Sequence, residues 1–98
     1  MILSFRDEWL RAFFVDDARS RHIPPDLAGR LFRKLQMIDD ATADQDLRVP
    51  PSNHFEKLRG NLAEFHSIRV NRQWRLVFRW EGRRGEANGV YLDGHSYR

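Results

Sequence analysis

Arg69, Arg75 and Arg79 stand in a stretch where polar and apolar residues alternate, and Tyr91, Asp93 and His95 stand in a second such stretch near the end of the sequence. These are side chains suited to a phosphodiester. A guanidinium carries a permanent charge on a planar fork that fits phosphate oxygens. It also stabilises the extra charge that develops on phosphorus during transfer. Histidine takes or gives a proton near neutral pH. Tyrosine and arginine stack on the unstacked bases of single-stranded RNA. Collected on one surface, these groups point to RNA cleavage; the plainer alternative is an ordinary solvated sheet face, where charges belong in any case.

Other candidates are weighed against structural roles. His54 follows Ser52-Asn53 in a proline-rich loop and is placed to line the edge of a site. His66 shares the parity of Ile68, which favours a packed, hydrogen-bonded histidine over a catalytic one, and His22 falls in a linker. Trp74 and Trp80 suit core or sheet-edge packing better than base stacking. The four histidines show no HxH or HxxxH spacing and there is no cysteine, so neither a metal site nor a disulfide is expected. No phosphate-binding glycine loop is present and no cofactor is implied.

For the reactive residues to share a surface, the surrounding elements must hold them there. Ile2 to Phe5 alternates as a short first strand. Leu10, Phe13 and Phe14 make a helical stripe ending at Asp16-Asp17. Pro24-Pro25 then precedes a second helix with Leu27, Leu31, Leu35 and Ile38 on one side and Arg30, Arg33 and Lys34 on its flank. Asp44 to Leu47 suits one further turn. Pro50-Pro51 forbids helix or central strand. Beyond it the period becomes two, with strands expected over 55–59, 65–70, 74–80 and 87–93. A turn falls at Gly60-Asn61, and a hairpin loop at Gly82-Arg-Arg-Gly85.

The order β-α-α-β-β-β-β predicts an α+β fold, with two N-terminal helices packed on one face of a small, mainly antiparallel sheet. Parity then does the sorting. Ile68, Val70, Leu76, Phe78, Val90 and Leu92 face the helices. Arg69, Arg75, Arg79, Tyr91, Asp93 and His95 share the opposite face.

Composition agrees with this reading. At 98 residues the sequence supports one domain, 1–98, and no two-lobed enzyme. Acidic residues within the first eight positions argue against a signal peptide, and no apolar run is long enough for a membrane span. The net charge is +3, and 15 of the 17 basic residues are arginine. Residues 1–49 carry −1 and residues 50–98 carry +4, so an anionic partner is expected at the second half.

Three stretches carry a resemblance over almost the whole chain: Asp46-Leu-Arg-Val-Pro-Pro-Ser-Asn-His-Phe-Glu-Lys-Leu-Arg-Gly60, His66-Ser-Ile-Arg-Val-Asn-Arg-Gln-Trp-Arg-Leu-Val-Phe78 and Asp93-Gly-His95. Together they resemble the HigB-like toxins of the RelE/ParE superfamily. The resemblance implies a type II toxin acting as a ribosome-dependent endoribonuclease. Such a toxin enters the A site and, without a metal, directs an RNA 2′-OH onto the adjacent phosphate. It implies that Arg75 stabilises the transition state, with Arg69 beside it and His95 and Asp93 from the C-terminal motif. Arg59 matches a basic residue at the edge of the site in some relatives, and with it Arg79 and Tyr91 of the open face, His54 of the proline loop and Lys57 are expected to bind RNA. The implied partners are the ribosome and mRNA and a HigA-like helix-turn-helix antitoxin, with promoter DNA reached only through the antitoxin complex, in the cytoplasm and with no membrane. The sequence departs from the family at Gly94, where the C-terminal motif has a tyrosine, and at Glu56, where some relatives have a histidine. A gyrase poison of the same fold, as in ParE-like proteins, and a weakly toxic paralogue held in a repressor complex are the alternatives.

Overall fold

A computed structural model describes residues 1–94. Three helices precede a four-stranded antiparallel sheet, so the expected α+β class holds. In α1 (Glu8–Asp16) the Leu10, Phe13 and Phe14 stripe turns inward, and Asp17 ends the helix in the left-handed region at φ 56°. Helix α2 (Ala28–Asp40) buries Leu31, Leu35 and Ile38 completely, which leaves Arg30 and Arg33 exposed along its flank. The expected turn after Ala43 is α3 (Asp44–Arg48), and Asp44 accepts the indole N–H of Trp80 at 2.7 Å.

The sheet runs in sequence order through β1 (Glu56–Lys57), β2 (Phe65–Arg69), β3 (Arg75–Glu81) and β4 (Glu86–Asp93). Only two residues of the expected 55–59 strand pair with β2. The first residues form no strand of their own. Ile2 and Phe5 make isolated parallel bridges to Ala87 and Val90, so the N-terminal segment lies along the free edge of β4. That position explains its alternating pattern, and it covers an edge that would otherwise be open.

Ile68, Leu76, Phe78, Val90 and Leu92 join the leucines of α1, α2 and α3 in one hydrophobic cluster, on the face that parity assigned to them. Ala87 faces the same way although three positions separate it from Val90. The reason is an extra residue in β4: Val77 pairs with Tyr91 but Arg79 pairs with Asn88. Gly89, at φ 62°, absorbs the bulge in a conformation other residues rarely take.

Candidate active site

The register brings the arginines together. Arg69 and Arg75 are direct cross-strand partners, and Arg75 is in turn opposite Asp93. Side chains at such positions stand on one face with Cβ atoms about 5 Å apart. Two like charges directly opposite each other disfavour the fold. Asp93 offsets part of the repulsion: its Oδ2 accepts from Arg75 Nε at 2.9 Å, and both side chains are half-buried. That bond orients the guanidinium, and its two terminal nitrogens have no partner among the described residues. Arg69 is exposed and has no carboxylate within 4 Å among the described residues.

Beside this pair lies a narrow cleft of about 30 Å³, lined by His54, Glu56, Ser67, Arg69, Trp74 and Arg75 among others. Each wall has a local cause. Glu56 pairs with Ser67, so its carboxylate shares the face of Arg69 and Arg75. Asn71 shapes the β2–β3 turn, its Oδ1 accepting the backbone N–H groups of Gln73 and Trp74, both at 2.8 Å. His54 follows the 3-10 turn Pro51–Asn53 and sits in the left-handed region at φ 47°. Behind it Asn53 is fully buried, donating from Nδ2 to the carbonyl of Leu47 at 3.1 Å and accepting from Lys34 Nζ at 2.6 Å. Asn53 therefore fastens the proline loop to α2 and fixes where His54 emerges.

The remaining expected residues are dispersed. Tyr91 and Arg79 do share the open face, but at its other end, lining a separate cavity of about 360 Å³ with Arg6. Arg79 is four residues along β3 from Arg75, about 13 Å away. There the Arg6 guanidinium lies 3.9 Å from the centre of the Tyr91 ring, and Arg79 sits over Phe65 and 3.8 Å from Glu64. Lys57 pairs with His66, which puts it on the helix-facing side of the sheet, away from Arg69 and Arg75. Arg59 follows at the Phe65 end of the sheet, since the neighbouring Leu58 N–H bonds the Phe65 carbonyl. His95 lies outside the described residues.

His66 is packed as its parity suggested, stacked on Phe55 with ring centres 5.0 Å apart, but its Nδ1 has no hydrogen-bond partner among the described residues. Burial holds its pKa below the ordinary histidine value. Gly94 also has a structural explanation: a Cβ there would stand 2.5 Å from the Trp74 ring, so the tyrosine of the family motif has no room beside this tryptophan. Among the described residues no three His, Asp or Glu side chains converge to hold a metal ion.

Sequence reasoning did not find Arg30, Arg33, Lys34 and Arg72 as part of the site. They line a groove of about 740 Å³ that runs on from the cleft past His54 and Arg69. The signal available was the basic flank of the second helix; its meeting with the β2–β3 turn is a tertiary contact.

Over residues 3–95 the chain matches the family of RelE-like toxins of type II toxin–antitoxin systems described as HigB. It belongs to that family. The HigB-like chain is 52% identical over 97 residues to Toxin HigB-1 of Vibrio cholerae, covering 99% of this chain and the whole of that relative. It is also 43% identical over 93 residues to an uncharacterised protein of Haemophilus influenzae, covering 95% and 90% of the two chains. As a type II toxin it has an antitoxin for a partner. No helix among the described residues is long and apolar enough to cross a membrane.

Proposed function

We propose that this HigB-like toxin is a ribosome-dependent endoribonuclease that cuts mRNA in the A site. The observation that carries this reading is the opposed Arg69–Arg75 pair, oriented by Asp93 and bordering a cleft that also holds His54 and Glu56. In the reaction a substrate 2′-OH attacks the adjacent phosphorus and the bond to the 5′ oxygen breaks, leaving a cyclic phosphate and a free 5′-OH. Arg75 and Arg69 hold the non-bridging oxygens as their charge grows. The Glu56 carboxylate takes the 2′-OH proton. A histidine, His95 of the C-terminal motif or His54 of the cleft, gives a proton to the leaving oxygen. The chemistry uses only side chains of this protein and the RNA.

The mRNA is presented by the ribosome, which places the action in the cytoplasm. The proposed antitoxin is a HigA-like protein whose helix-turn-helix supplies the recognition helix for promoter DNA. The toxin by itself is not expected to bind that DNA specifically. A translation extract tests the proposal: added toxin should produce cuts in ribosome-bound mRNA with 5′-OH ends, and free mRNA should stay intact. Unbroken mRNA together with inhibited supercoiling by gyrase would refute the nuclease reading in favour of the ParE-like one.

A further inference from the structure

The 740 Å³ groove that extends the cleft is walled by Arg30, Arg33 and Lys34 of α2, Arg69 at the end of β2 and Arg72 in the turn after it. None of these five cations has a carboxylate within 4 Å among the described residues, and no carboxylate lines the groove. Arg19, Arg21, Lys57, Arg59, Arg83 and Arg84 also lack an acid within 4 Å among the described residues, but none of the other cavities described gathers more than two cations. Arg30 and Arg33 are one helical turn apart and present their charges side by side. The crowding is felt at Lys34, whose pKa is lowered by burial and then by repulsion from Arg30 and Arg33. A chain that keeps such repulsion unrelieved gains it back when a polyanion arrives.

The lining also says which polyanion. Protein partners anchor through apolar and aromatic side chains in pockets. Here the only apolar lining residue is Val70, itself 3% exposed. What the groove does offer is guanidinium forks and polar side chains such as Ser52 and Gln73, which suit phosphate and sugar. Its volume accommodates about two nucleotides on the scale of ordinary ligand sites.

We propose that this groove is a phosphate-binding track for single-stranded RNA, in which Arg30, Arg33 and Arg72 hold the backbone of the strand continuing from the cleavage cleft. The inference deepens the nuclease reading and rests on it for the position of the scissile bond. Binding energy gathered on the track holds the strand across Arg69 and Arg75, as remote contacts do when they position a reacting centre.

The test is equilibrium binding of a fluorescent ten-nucleotide RNA carrying 2′-O-methyl groups, which removes the attacking hydroxyl, measured by anisotropy across a salt series. Each phosphate neutralised on a single strand contributes about −0.7 to the slope of log affinity against log salt. The Arg30→Gln/Arg33→Gln double variant should reduce the magnitude of that slope by about 1.4, and Arg72→Gln by about 0.7. Arg83→Gln/Arg84→Gln, in the β3–β4 loop, should match wild type. An unchanged slope in the double variant and in Arg72→Gln would overturn the track. So would groove variants that keep RNA binding but escape inhibition by the antitoxin, which would make the groove an antitoxin dock. Because the assay uses neither ribosomes nor cleavage, the two readings fail separately. Salt slopes as expected with no cutting of ribosome-bound mRNA would defeat the nuclease alone. Normal cutting with unaltered RNA binding by the groove variants would defeat the track alone.

Discussion

The open face of the sheet is built at both ends from arginines, aromatic residues and carboxylates, to different effect. At the Tyr91 end the cations are already engaged: Arg6 lies on the Tyr91 ring and against Asp7, and Arg79 lies over Phe65 and near Glu64. At the Arg75 end the two guanidiniums face each other across β2 and β3, Asp93 lies on the far side of Arg75, and Glu56 borders the cleft in front. In the first arrangement each guanidinium has an acid within 4 Å; in the second Arg69 has none among the described residues. Counting charges on a face therefore does not separate the two ends; the internal partners of each charge do.

The sharpest way to break that contrast is Arg75→Ala. It should lower single-turnover cleavage of ribosome-bound mRNA by about 10²–10³-fold, the typical loss of one charge-stabilising donor, with the circular dichroism spectrum preserved. Full activity in a folded Arg75→Ala protein would move the site elsewhere. Next come the histidines. The one that donates to the leaving oxygen should lose roughly 10²-fold on substitution by glutamine and flatten the pH–rate profile near neutrality. Running His95→Gln beside His54→Gln assigns the role, and an unchanged rate and profile in both would exclude histidine acid catalysis.

Gly94 tests how tightly the Arg75 end is fitted. Gly94→Ala should cost about 1–3 kcal/mol in urea denaturation, as overpacking does, and shift Trp74 fluorescence. Wild-type stability and emission would show that the tryptophan yields freely. At the other end, Arg79→Ala should change cleavage by no more than about threefold, while losing roughly 0.5–1 kcal/mol of stability with its contact to Phe65. A hundredfold loss of activity there would erase the distinction between the ends.

The smallest effect concerns the reverse face. Since burial depresses the pKa of His66, the unfolded chain takes up that proton first as the pH falls through about 6.5. The unfolded state then binds more protons, so stability declines below that pH. Urea midpoints between pH 7.5 and 5.5 should fall more for wild type than for His66→Phe, and parallel curves would deny the linkage. The pH–rate profile should be the same in both proteins, which keeps this histidine apart from those of the cleft.

Much of this contrast was legible in the sequence because a period of two is a local signal. The alternation from Trp74 to Trp80 set Leu76 and Phe78 inward, and with them it placed Arg69, Arg75, Tyr91 and Asp93 on one face. What was not legible depends on contacts between distant segments. Arg6 reaches Tyr91 because the first residues run beside β4, and α2 lends Arg30 and Arg33 to the groove because it lies near the β2–β3 turn. Parity was also unusable where a strand is very short. With only Glu56 and Lys57 paired, nothing in the sequence said which of the two would stand beside Arg69. The bulge at Gly89 hid in an apparently continuous run for a similar reason, since a glycine inside a strand pattern does not by itself reveal an extra residue.

The position of the first residues has a consequence for the order in which the molecule is assembled. Ile2 bridges to Ala87 and Phe5 to Val90, so β4 is flanked by β3 on one side and by the beginning of the chain on the other. Closures across such separations are entropically the costliest in a small domain and come late in folding. Asp93 travels with that same strand. It meets Arg75 through the β3–β4 hairpin, a separation of 18 residues, so the carboxylate can orient the guanidinium before the N-terminal segment closes on β4. Two successive hairpins thus assemble the arginine pair and its carboxylate, and the closure by Ile2 and Phe5 seals the edge of a sheet whose cleft already exists.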